Sequence, residues 1–265
     1  MSSKYWAVFK ISWENGLVYR LNFTLWRVRS VLQLLLVYFI WWTVFQTQDQ
    51  IFNYTKVSIL TYVMVASLIR AIILSSRAVD VSAQINDGSI VNFLVKPLGF
   101  IKYYFARDLA DKLLNISFVI FEIILLVIIL KPPLLIQQNF EILLFFTLAT
   151  ILGLFLYFAM AFCIGMLAFW VENAWGPLFL VTIILEGFGG GLFPIDILPK
   201  NIYDYVMLTP FPYLIYFPAK LYLGNLPTME IFKGFIILIS WVFIGWYLMM
   251  AILQQGLKRY TAFGY

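Results

Sequence analysis

Long apolar runs alternate with short polar segments along this chain, and six of the runs predict membrane-crossing helices. They cover residues 31–45 (extendable back through Trp26), 57–74, 113–130, 142–171, 177–192 and 234–253. A helix needs about 20 mostly apolar residues to cross a hydrocarbon core about 30 Å thick. The fourth run is long enough to tilt or to continue past the bilayer. Six crossings place both termini on one side. Two interruptions stand out: residues 77–112, with charges of both signs, and residues 193–230, rich in aromatics and proline.

The first 26 residues carry a different pattern. Tyr5, Trp6, Phe9 and Trp13 share one helical face, with Lys4, Lys10, Ser12 and Glu14 elsewhere, as in a helix lying in the membrane interface. Asn15-Gly16 predicts its end. No small-residue cleavage site follows the first long apolar run, so this segment is expected to be retained.

Within the first interruption the pattern predicts a helix over 78–85, broken at Asn86-Asp87-Gly88. Ser89 is placed to cap a short helix over 90–96 that Pro97 stops. Phe93 and Leu94 are then apolar groups on a short surface helix. Such a helix serves either as a connector on the headgroups or as a plug for a groove in a soluble partner. In the second interruption, Gly187, Gly189, Gly190 and Gly191 weaken the preceding helix, and Pro194 and Pro199 stop its continuation. Residues 195–218 are still apolar, which predicts short re-entrant or interfacial helices surrounded by protein.

Composition narrows the class. The chain is 63% hydrophobic and 12% charged, against about 25% charged residues in soluble domains. The expected fold is therefore an all-α membrane protein with a single domain over 1–265. The chain has no histidine, which removes Ser-His-Asp hydrolysis and HExxH metal chemistry, and one cysteine, which removes an intrachain disulfide. No metal or cofactor is expected on it. With the N-terminus inside, 13 of the 18 basic residues fall in inner segments, so both termini are expected to be cytoplasmic. Anionic lipid, rather than nucleic acid, accounts for this charge.

Ionisable residues inside apolar runs are candidates for function. Glu122 sits in the middle of the third run, Glu186 just before the glycines of the fifth, and Glu172 at the inner rim of the fourth. The plainer role for Glu122 is an interhelical hydrogen bond, whereas Glu186 is the better pathway candidate. Arg70 and Arg77, at the end of the second run, are placed to snorkel to headgroups. Trp41 and Trp42 at the outer end, and Trp170 and Trp175 at the inner, suit interfacial belts, with a pathway role for Trp41 and Trp42 as the alternative. Gly153 and Gly165, with nearby alanines, suit close helix packing within the chain or in a dimer.

Residues 87–98, DGSIVNFLVKPL, resemble the segment after the second span in permeases of ABC transporters of the ABC-2 type. Many relatives carry Glu before this glycine, where the present chain has Asn86-Asp87. A second stretch, GFGGGLFPIDILPKNIYDYVMLTPFPYLIYFP, resembles the same family through Gly191, Phe193-Pro194, Leu198-Pro199 and Thr209-Pro210. The start, FKISWENGLVYRLNFTLWRVRSVLQLLLVYFIW, is similar to one branch of it, a permease paired with a second permease and one type of ATPase. The resemblance implies an N-terminal elbow helix over 1–26 and a coupling helix that contacts the ATPase through Asp87, Gly88, Ser89, Asn92, Phe93 and Leu94. It also implies an outer gate region at Gly191, Phe193, Pro194 and Pro199. ATP and Mg are expected on an ABC ATPase dimer, because this chain has no GxxxxGK[ST] loop. The expected function is export of a hydrophobic or amphipathic substrate (drug, toxicant, lipid or glycan) from a bacterial inner membrane, by a homo- or heterodimer of permeases. The alternative is a proton-coupled carrier using Glu122 and Glu186.

Overall fold

The computed structural model describes residues 3–18, 20–94, 99–171 and 175–260. Among these, α1 is Ser3–Val18 and α2 is Arg20–Val44. A two-residue hairpin, Gln50–Ile51 with Tyr54–Thr55, then turns the chain into α3, Lys56–Ile73. A 3-10 turn at Ala78–Asp80 leads into α4, Val81–Asn86, and α5, Val91–Leu94. The long helices α6, Phe100–Leu130, and α7, Phe140–Met166, follow. Then come α8, Trp175–Phe188, α9, Lys200–Val206, α10, Tyr216–Leu223, and α11, Thr228–Arg259.

Local chemistry sets several ends. Thr55 and Ser58 form a reciprocal capping box at the start of α3, and Asn139 accepts from the Glu141 N–H at the start of α7. Among the described residues, five helices are long and apolar enough to cross a membrane, carried by residues 23–44, 56–86, 100–130, 140–169 and 228–259. The expected fifth crossing differs. Its helix α8 has 14 residues, about 21 Å, and stops at Phe188.

The path of the chain beyond α8 accounts for the shortfall. Helices α7 and α11 run parallel: the Phe145 ring packs on that of Phe235, Gly245 meets Ala159, and Gly256 sits against Phe169. The chain between them therefore has to return to the level at which α7 begins. It does so through α8 and the extended residues 189–194, reaching Asp196 beside Tyr54 at the α3 end of the hairpin. It then dips again. Tyr213 O lies 3.5 Å from where a Cβ on Gly153 would stand, halfway along α7. From there α10 climbs back until Gly224 meets Gln137 and Ile142 at the α7 start.

Two further differences concern helix length. Asn15-Gly16 does not end α1, which runs to Val18 against Leu114. The helix expected over 113–130 begins at Phe100, because charges along its first turns are bonded to residues 75–80. Helix α1 runs alongside this extension, with the Tyr5 hydroxyl accepting from the Gly99 N–H at 3.0 Å.

Most of the buried residues form two clusters. The larger lies among α2, α3, α7, α10 and the segment after α8, around Tyr38, Ile59, Tyr62, Leu156 and Tyr213. The smaller joins the 3-10 turn and α4 to α6, α7 and α11, around Ala78, Val81, Tyr104, Phe158 and Phe162. Gly153 and Gly165 pack within the chain: Gly153 faces Ile73 and Gly165 faces the backbone of Ala78 and Val79.

Candidate functional site

Three polar arrangements lie along the axis of this bundle. The first is at the end where α3 finishes. Asp87 accepts from the Ser89 N–H at 2.8 Å, and these bonds to Ser89 hold its carboxyl below the usual range. Gly88 takes φ 78°, the left-handed turn expected of a glycine there. One turn of helix, α5, follows. Asp87, Gly88 and Asn92 are exposed, Ser89 half-buried, and Ile90 buried. Phe93 is not simply presented outward, because its ring packs on Tyr103 at 4.7 Å and on Phe100 at 6.2 Å. The exposed apolar side chain of this turn is Val91. The Leu94 side chain and residues 95–98 lie outside the described residues.

This arm is bonded to the spans by buried charge. Lys112 on α6 donates to the carbonyls of Ile73 at 3.0 Å and Ile72 at 3.3 Å, and also to that of Ser75. These are the last carbonyls of α3 and the turn after it, which have no partner within the helix. One turn earlier, Asp108 accepts from the Ser76 hydroxyl at 2.6 Å and the Arg77 N–H at 3.0 Å. Asp108 and Lys112 face each other at 3.5 Å, both almost fully buried. Arg77–Asp111 and Arg107–Asp80 add two pairs at 2.9 and 3.0 Å. Sequence reading placed Arg77 among snorkelling residues. The charges at 107, 108, 111 and 112 occupy one helical face, and that spacing was the available signal.

The second arrangement sits at the break after α8. Glu186 pairs with Arg70 of α3 and lies 3.4 Å from the Gln33 amide of α2. Arg70 therefore turns inward to a carboxylate rather than snorkelling. Three carbonyls exposed by the break have donors from elsewhere. Gly189 O receives Tyr216 N–H at 2.9 Å, Gly190 O the Tyr62 hydroxyl at 2.6 Å, and Leu192 O the Trp41 indole at 3.1 Å. This meets the requirement that irregular backbone at membrane depth be satisfied by protein. The glycines are needed here for approach as well as turning. Gly190 has φ 85° and touches Tyr216, and a Cβ on Gly191 would stand 2.7 Å from the Arg70 guanidinium.

Glu122, the other candidate, is elsewhere. It pairs with Arg27 of α2, which also reaches Asn115 at 3.3 Å. That is the interhelical bond expected as its plainer role, and it is not brought together with Glu186. Trp42 lies under the Lys56 ammonium at 3.6 Å and stacks on Tyr38. Glu172 lies outside the described residues, as does the Trp175 side chain.

The third arrangement is where α3 begins. Lys220 reaches both Asp196 and the Tyr54 hydroxyl at 2.6 Å, and Tyr54 bonds Asp196 at 2.9 Å. Burial, with the Asp196 charge, pushes the Tyr54 phenol up. A cavity of about 550 Å³ opens here between Asp196, Lys200, Asp204, Lys220 and Glu230. Phe193 is half-buried and Pro194 buried just before Asp196 in the chain, and Pro199 immediately precedes α9. Among the described residues no group of acidic or sulfur side chains is arranged to hold a metal ion.

A family model described as ABC-2 family transporter protein matches residues 31–264. The chain belongs to this family. It is a permease subunit of an ABC transporter, a multi-pass membrane component without catalysis of its own, of a family that associates with an ABC ATPase. No curated protein matches the permease in a sequence search.

Proposed function

We propose that this permease is half of an ATP-driven exporter in a bacterial inner membrane, with both termini cytoplasmic and α1 as its elbow helix. The fifth crossing is made by α8 with extended residues 189–194, and residues 195–223 form the outer re-entrant pair. The exposed turn at residues 87–92 docks on the ATPase dimer, on which ATP and Mg are bound. A second permease, identical or related, completes the pathway. Its cargo is hydrophobic or amphipathic, in keeping with the apolar and aromatic composition of the spans.

One observation carries this reading. The turn at 87–92 is bonded to α4 by the Ile90 N–H, which donates to the Gln84 carbonyl at 3.0 Å, and α4 to α6 by the Tyr104 hydroxyl, which donates to the Gln84 side chain, while Asp108 and Lys112 bond α6 to the end of α3. A push on it therefore moves α3, which carries Arg70 and Tyr62 at the α8 break. ATP binding then biases two arrangements of the same bundle. The alternative of a proton-coupled carrier is weakened, since Glu122 and Glu186 are both occupied by arginines.

The test is co-purification. Val91→Asp places a charge on the exposed apolar side chain of the docking turn without touching the spans. The variant is expected to insert normally and lose its ATPase in a mild-detergent pull-down. Undiminished ATPase recovery with Val91→Asp would remove the docking assignment.

A further inference from the structure

Helices α1 and α6 enclose a groove of about 430 Å³ lined by Phe9, Lys10, Trp13, Glu14, Leu113 and Ile116, with Ser117 at its edge. Its depth is set by α6. Counting back about 20 residues, or about 30 Å, from Leu130 puts the hydrocarbon boundary near residue 111. An average tilt of about 20° changes this little. Leu113 and Ile116 therefore lie just inside the boundary, and the groove opens at the level of the headgroups.

The groove has apolar walls and two opposite charges. Trp13 and Phe9 stack 6.2 Å apart along the α1 side, and Leu113 and Ile116 form the opposite wall. Lys10 and Glu14 are both exposed, one helical turn apart. Among the described residues neither forms an ion pair; the Lys10 ammonium lies 6.0 Å from the Trp6 ring centroid. A lysine placed four residues before a glutamate is the weaker order for a helical pair, so both charges stay available. Glu14 is moreover the only carboxylate in the first 48 residues, a stretch with five basic residues. Attraction to an anionic surface does not call for it. A ligand that carries a phosphate next to a primary ammonium, above an apolar tail, uses every one of these groups.

We propose that this groove is a binding site for one aminophospholipid. Its phosphate pairs with Lys10, its ammonium folds back by one helical turn toward the spans to donate to Glu14, and its first acyl segments lie between Trp13 and Leu113. The lipid joins α1 to the end of α6 that also holds the Asp108–Lys112 pair.

The test uses the full chain in nanodiscs of equimolar phosphatidylethanolamine, phosphatidylcholine and phosphatidylglycerol. Lipid retained after release is counted by native mass spectrometry. A charge-assisted hydrogen bond to Glu14 predicts about tenfold enrichment of phosphatidylethanolamine over phosphatidylglycerol. Glu14→Gln should abolish that preference, and Lys10→Ala should lower retention of all three lipids. Trp13→Ala should lower it also, with helicity unchanged by circular dichroism. Equal retention of the three lipids, a preference for phosphatidylglycerol, or a preference that survives Glu14→Gln would overturn the site. None of these readouts depends on the ATPase.

Discussion

Gly190 and Gly191 have a role that composition alone does not show. Both were legible as helix breakers, because glycine clusters weaken helices wherever they occur. That they admit Tyr216 and the Arg70 guanidinium was not legible, since those partners are distant in sequence. The same holds for the carboxylates. Glu122 and Glu186 stand out from apolar runs, but Arg70 lies near the end of its run and reads as snorkelling to headgroups, and Arg27 reads only as one of the inner basic residues. Gly190→Ala forces φ 85° on a residue with a Cβ and drives that Cβ into Tyr216. The expected loss is about 1–3 kcal/mol, read as a lower thermal unfolding midpoint in detergent. Gly187→Ala is the control. A Cβ there meets nothing, and alanine favours the helix, so its midpoint should hold or rise slightly.

Among the elements, α6 departs most from the apolar pattern. The twenty-residue rule found its spanning part but read residues 100–112 as loop, because charge density masked the helix. Tertiary bonding reverses that reading: Asp108 and Lys112 bind both sides of the gap between α3 and the following 3-10 turn. Removing one partner of a buried pair leaves a lone charge, at a cost of about 3–5 kcal/mol. Lys112→Met is therefore expected to lower the unfolding midpoint sharply. Adding Asp108→Asn should recover part of the loss, because no uncompensated charge remains. Full recovery would mean that the bonds from Lys112 to the α3 carbonyls contribute nothing. The shortness of α8 was half legible: the glycines marked a break, but apolar sequence through Leu192 hid its position.

For the whole molecule, the distribution of basic residues sets the expected orientation, and the parallel course of α7 and α11 fits an even number of crossings. Six successive crossings already make the fourth and sixth run the same way; that these two helices pack on each other was not legible, because apolar runs do not name their partners. In a Cys163→Ala background, an impermeant thiol reagent applied to intact cells is expected to label Gln138→Cys and spare Lys258→Cys. Labelling of both, or the reverse pattern, would reject the orientation.

The three carbonyls after α8 are bonded by donors from three different places: Trp41 on α2, Tyr62 on α3 and the backbone of α10. Sliding α3 past α2 strains the bond from Tyr62 or the bond from Trp41, while the bond from the α10 backbone involves neither helix. Away from water, a bond half broken has no substitute partner. The break is therefore a junction at which three separate elements meet, rather than a free hinge.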